Sequence, residues 1–126
     1  MAIAPDSDSA AAVVIFENDP RQAIAYQELF TGAGHDAQTA LPNEDVQLLC
    51  ERLKPQVVVF DMAIWEADTA YVFGVLNGAL GFERPVIIAL ATLPHQVRRA
   101  KRFGADSVWI RGVDGMRGLS FPSRRC

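Results

Sequence analysis

The stretch Gln56-Val57-Val58-Val59-Phe60-Asp61 runs through four large apolar residues and ends on a carboxylate. β-Branched and aromatic side chains favour strands, and a strand with no polar alternation is covered on both faces. The stretch Pro85-Val86-Ile87-Ile88-Ala89-Leu90-Ala91 has the same character. Strands of this kind belong to parallel sheets, and parallel neighbours must be joined by a crossover, usually a helix. Between the two runs, Val72, Val75, Leu76 and Leu80 recur at helical spacing and predict that helix.

The same alternation extends in both directions. Residues 12–16 form a first apolar run that ends at Glu17-Asn18-Asp19-Pro20. Asp19 suits a helix cap and Pro20 the first helical turn. Ala23, Tyr26, Phe30 and Ala33 give the next helix a buried stripe, and Gly32 and Gly34 stop it. A short second strand covers 36–40. Asn43 is the expected cap of a helix with Val46, Leu49, Cys50 and Leu53 inward, ended by Pro55. Beyond residue 91 a helix starts near Pro94, carries Val97, Ala100 and Phe103 inward, and closes at Gly104. A fifth strand covers 106–111. Five βα units predict an α/β fold: a flavodoxin-like three-layer sandwich with a parallel sheet in order 2-1-3-4-5, its last helix short or absent. The expected organisation is a disordered leader at 1–10, one domain at 11–114 and a flexible tail at 115–126.

Composition excludes several classes of function. The chain has 126 residues, half of them hydrophobic, and a formal charge of −3. That is one domain with one core, and it gives no electrostatic motive for wrapping nucleic acid. Two cysteines, Cys50 and Cys126, make neither a disulfide framework nor a zinc site. Two histidines, His35 and His95, are too few for a multi-histidine metal hydrolase. No apolar run approaches the ~20 residues of a membrane helix, and the first residues lack the pattern of a signal peptide. The expected compartment is the cytoplasm. The turn after the first strand has neither G-x-G-x-x-G nor a flavin-phosphate loop, so nucleotides and flavins are disfavoured.

In an open parallel sheet the ligand crevice lies beyond the carboxyl ends of the strands, where strand order reverses. Strand one ends at Glu17 and Asn18, strand three at Asp61, strand four near Ala91 and Thr92, and strand five at Arg111. Hard oxygen donors at such a place suit Mg²⁺. A carboxylate beside the metal can serve as a nucleophile toward phosphorus. The plainer alternative is that Asp61 ends a strand and Arg111 pairs with it.

These residues carry a resemblance. Glu17-Asn18-Asp19-Pro20, Gly34-His35-Asp36-Ala37-Gln38-Thr39-Ala40, Pro55 through Asp61, and Gly104-Ala105-Asp106-Ser107-Val108-Trp109-Ile110-Arg111-Gly112 follow, in order, the acidic turn, second strand, third strand and fifth strand of response-regulator receiver domains. The chain resembles that family over roughly residues 12–114. The resemblance implies a phosphoacceptor at Asp61 and an Mg²⁺ site at Asn18, Asp61 and the Ala63 carbonyl, with Glu17 assisting. It also implies Arg111 as the pocket cation and a histidine kinase or phosphotransfer protein as partner. Thr92 is expected at the pocket rim, offset from the family's hydroxyl, and Trp65 either at the rim or packed under the following loop. The module would be a switch, not an enzyme.

Departures from the pattern are equally specific. Asn18 replaces an acid, so Mg²⁺ affinity is expected to be weakened or lost. The hydroxyl at the end of strand four is replaced by Leu90 or Ala89, the lysine by Arg111, the following proline by Gly112 and the switch aromatic by Val108. Two readings follow: a phosphorylatable receiver acting through protein contacts, or a pseudo-receiver that takes no phosphate and docks proteins. In the second, Arg111 sits on Asp61 and Glu17 in place of the metal. Arg98, Arg99, Lys101 and Arg102 give the fourth helix a basic face. It is either simply solvated or a surface for a downstream protein. His35 is expected in a turn, His95 at the surface, and Cys50 as buried filler.

Overall fold

The computed structural model describes residues 10–111. The leader at 1–9, and the tail with Gly112, Cys126 and any last helix, lie outside the described residues. The elements are β1 (Ala12–Phe16), α1 (Pro20–Gly32), β2 (Asp36–Ala40), α2 (Val46–Leu53), β3 (Val57–Asp61), α3 (Glu66–Gly78), β4 (Val86–Ala91), α4 (Pro94–Phe103) and β5 (Ser107–Ile110). The five strands form one parallel sheet in the order β2-β1-β3-β4-β5. This is the flavodoxin-like arrangement expected from the alternation of runs.

Side chains alternate across the sheet and feed two cores. Val14, Phe16, Val58, Phe60, Ile87 and Ala89 meet α2, α3 and α4 on one side. Phe60 packs edge-on against Phe73 of α3, with ring centroids 5.3 Å apart. Val13, Ile15, Val57, Val59, Ile88 and Leu90 face the other side, where α1 contributes Phe30 and Tyr26 and β5 contributes Trp109. Val108 packs in the first core, so the aromatic and the valine of β5 lie on opposite faces.

Local chemistry sets the boundaries. Asp19 caps α1 by accepting from the Arg21 N–H at 3.0 Å, with Pro20 at the first position. α2 is capped by Asp45, whose carboxylate accepts from Leu48 N at 3.0 Å, and not by Asn43. Both are Asx residues before the same apolar run, but only Asp45 stands immediately before Val46. α3 ends at a left-handed Ala79, so Leu80 leaves the helix and is 77% exposed instead of joining the core. Ala33 is likewise exposed, because α1 ends one residue earlier. His35 is buried under Phe30, and its Nδ1 accepts from Ala11 N at 3.0 Å. It anchors the start of the sheet instead of occupying a surface turn. His95 is exposed and Cys50 is buried, as expected. Burial pushes the Cys50 thiol up to about 11, so it stays protonated and inert at neutral pH.

Candidate functional site

The period of two that builds the cores also builds the crevice. Glu17, Asp61 and Arg111 stand two residues beyond Ile15, Val59 and Trp109, all of the α1-side core. Their side chains therefore emerge on one side, above the carboxyl ends of β1, β3 and β5. Leu90, register partner of Asp61 on β4, belongs to the same side. α1 closes the crevice with Gln22 and Tyr26, one helical turn apart.

The carboxylates are deeply placed. Asp61 is 4% exposed and Glu17 7%. Asp61 Oδ1 accepts from the Ala63 N–H at 2.9 Å, which fixes its rotamer. Glu17 Oε2 accepts from Asp19 N at 3.2 Å. The other oxygen of each carboxylate meets Arg111. Its Nη2 donates to Asp61 Oδ2 and, at 3.2 Å, to Glu17 Oε1. Its Nη1 donates to Gln22 Oε1 at 3.1 Å, and its guanidinium carbon stands 5.6 Å from the Tyr26 ring centre. One cation thus bridges two buried acids and is held from behind by an amide and an aromatic face. Burial, with the adjoining Asp61 carboxylate adding a hydrogen bond and its charge, pushes Glu17 up to about 7. Burial also raises Tyr26.

The other expected site residues lie around this centre. Asn18 is exposed and lines a neighbouring cleft with Glu17, Pro20, Ile24, Leu41 and Glu44. Ala63 is exposed at the mouth, beyond Asp61. Trp65 precedes α3 and is 74% exposed, so it does not pack beneath the following loop. Thr92 is exposed, with its N–H bonded to Gln96 Oε1 at 2.7 Å. Among the described residues, no three His, Cys, Asp or Glu side chains gather as a metal cage. Leu90, not Ala89, lies opposite Asp61, so an apolar side chain occupies the place the resemblance gives to a hydroxyl. Behind Arg111 is a small apolar cavity of about 90 Å³, walled by Tyr26, Phe30, Leu90 and Trp109 among others.

The sequence did not single out Gln22, placed Tyr26 only in the core stripe, and read Arg99 only as part of a basic helix face. The four-residue spacing of Gln22 and Tyr26 was the available signal. Arg99 departs from the expected basic face. It is half-buried, and its Nη2 donates to the Met62 carbonyl at 2.7 Å. Arg98, Lys101 and Arg102 remain exposed.

No protein-family model matches the sequence, and no curated protein matches it. Solved structures do match. The receiver domain of a sensor histidine kinase from Pseudomonas aeruginosa, with magnesium coordinated in its active-site cleft, aligns with a TM-score of 0.70 at 13% identity, over 82% of this chain and 87% of that one. The receiver domain of a histidine kinase from Syntrophus aciditrophicus aligns with a TM-score of 0.68 at 24% identity, over 82% and 80%. The chain has the receiver fold. A response-regulator receiver protein from Burkholderia phymatum shares the fold over 88% of this chain and 98% of its own, at 20% identity and a TM-score of 0.67. In the receiver fold, the crevice just described is the one at the switch point between β1 and β3. No helix among the described residues is long and apolar enough to cross a membrane.

Proposed function

We propose that this chain is a cytoplasmic receiver module of two-component signalling, working by contact with protein partners, with Arg111 holding its crevice in place of a metal ion. One observation carries this reading: the Arg111 guanidinium stands on Glu17 and Asp61 together. Those oxygens are the ones a divalent ion would need. Mg²⁺ prefers two or more hard oxygen ligands with charge to spare. Here Asn18 brings no charge, burial pushes the Glu17 carboxyl up to about 7, and Arg111 already pairs with Asp61. The residues as arranged do not fit the ion. Leu90 offers no hydroxyl to a phosphoryl oxygen either. The module performs no catalysis of its own. Its partners are proteins, not nucleic acid, and the exposed Arg98, Lys101 and Arg102 of α4 form a surface they can reach.

The second reading keeps Asp61 as phosphoacceptor for a histidine kinase or phosphotransfer protein. It is favoured by the retained Asp61 and Glu17, side by side at the switch point. One titration separates the two. Millimolar Mg²⁺ followed by beryllofluoride, read by amide shifts, is expected to leave the crevice resonances of the wild type in place. A response in the wild type that vanishes in Asp61→Asn would instead establish the phosphoacceptor. In Arg111→Met the crevice oxygens are released, and Mg²⁺ is expected to move the Asp61, Met62 and Ala63 amides.

A further inference from the structure

Parallel strands β3 and β4 part company just beyond Asp61. The last rung between them is Met62 N to Leu90 O, at 2.9 Å. The ladder would next call for a donor from Thr92 to the Met62 carbonyl. That donor is diverted: Gln96 Oε1 accepts from Thr92 N at 2.7 Å and from Leu93 N at 3.1 Å. Arg99 supplies the missing donor through Nη2. Gln96 and Arg99 lie on α4, about one turn apart. Two side chains of one helix therefore take over the rung that the backbone gives up. The Arg99 Nε is enclosed, with no hydrogen-bond partner among the described residues. A buried donor left unpaired costs free energy, so this placement of the guanidinium carries a penalty. An exposed position on a basic helix would carry no such penalty.

The carbonyl it holds belongs to the residue immediately after Asp61. The same short loop supplies the Ala63 N–H that fixes Asp61 Oδ1. From this placement we infer that Arg99 is a positioning residue, coupling the crevice loop 62–64 to α4 and its exposed basic surface. This deepens the function proposed above, since it gives the crevice a route to the surface that partners reach. A change in what holds Asp61 shifts the Met62 carbonyl, and Arg99 carries that shift to the helix. Because equilibrium coupling is reciprocal, a protein docked on α4 acts back on the crevice by the same free energy.

A double-mutant cycle read by amide shifts tests the coupling. Four full-length proteins are compared: wild type, Asp61→Asn, Arg99→Met and the double variant. Asp61→Asn keeps the oxygen that accepts from Ala63 and removes the charge that holds Arg111. It is expected to move the Gln96, Val97 and Arg98 amides in the wild-type background, and by roughly a third as much or less when Arg99 is Met. Equal movement in both backgrounds overturns the inference. So does an α4 that does not respond to Asp61→Asn at all. If Arg99→Met does not fold, Arg99→Lys replaces it under the same criterion, since an ammonium keeps the charge but loses the planar reach of the guanidinium. No metal or phosphoryl donor enters this cycle. Its failure therefore leaves the reading of Arg111 standing, and a magnesium response in the wild type leaves the coupling standing.

Discussion

Arg111 is the residue that bridges the two acids of the crevice. Its side chain is only a quarter exposed and the two acids far less. Removing one partner of such a group leaves uncompensated charge in a poorly solvated place. Arg111→Met is therefore expected to lower stability by about 3 kcal/mol at neutral pH, read as an earlier midpoint in urea. Glu17 adds a pH dependence whose sign follows from its raised value. Between the ordinary 4.5 and about 7, the folded state holds a proton that the unfolded chain has lost. Stability from this group is therefore present at low pH and is lost as pH rises through about 7. Urea midpoints of wild type and Glu17→Gln are expected to diverge accordingly. The wild type gains on the variant as pH falls from about 8 to about 5, by on the order of 2 kcal/mol. A pH-independent difference would contradict the buried protonated carboxyl. Asp61, Glu17 and Arg111 were legible in the sequence because topology and period-two alternation place strand ends. Arg99 was not. A cation on an amphipathic helix reads as solvated, and nothing local announces that one of four turns inward to a carbonyl 37 positions away in sequence.

At the scale of elements, two helices end on residues that pay a steric cost. Lys54 closes α2 with φ 47° and Ala79 closes α3 with φ 37°. The left-handed region penalises a Cβ, and glycine escapes the penalty. Ala79→Gly is expected to raise stability by about 0.5–1 kcal/mol, visible as a higher Tm, because a C-cap is where glycine is preferred. At the other end of α2, Asp45→Ala should cost about 1 kcal/mol through the lost cap, while Asn43→Ala should change little. That contrast checks the corrected helix boundary directly. Strand positions were easier to read than helix ends. The run from Val57 to Phe60 leaves no alternative to a doubly covered strand, whereas Asn43 and Asp45 offer the same chemistry two residues apart. Leu80 was misplaced for the same reason: its spacing continues the α3 stripe, but the left-handed turn at Ala79 intervenes.

Over the whole molecule, the two cores meet in β1, β3 and β4. Every residue of β3 is buried. β2 exposes three of its five residues, and β5 is only half-buried throughout. Native-state hydrogen exchange is therefore expected to be slowest at Val58, Val59 and Ile88 and distinctly faster in β2. Uniform protection across the sheet would count against this layering. Fold class was legible because the pattern is distributed over five units, so a misread cap or stripe end in one does not alter the order of strands. Site chemistry was less so, because it turns on single contacts such as Arg111 across two acids.

The outer strand β2, Asp36-Ala37-Gln38-Thr39-Ala40, pairs with β1 and places Asp36, Gln38 and Thr39 in the open. Segments such as Val57–Phe60 and Val86–Ala91, low in charge and rich in β-branched residues, are the kind that assemble into intermolecular cross-β stacks when laid bare. A polar border strand with a carboxylate at its start is a poor template for such growth. β2 thus guards that side of the sheet, and a change that frays it would show first as fibril formation on prolonged incubation and only later as loss of fold.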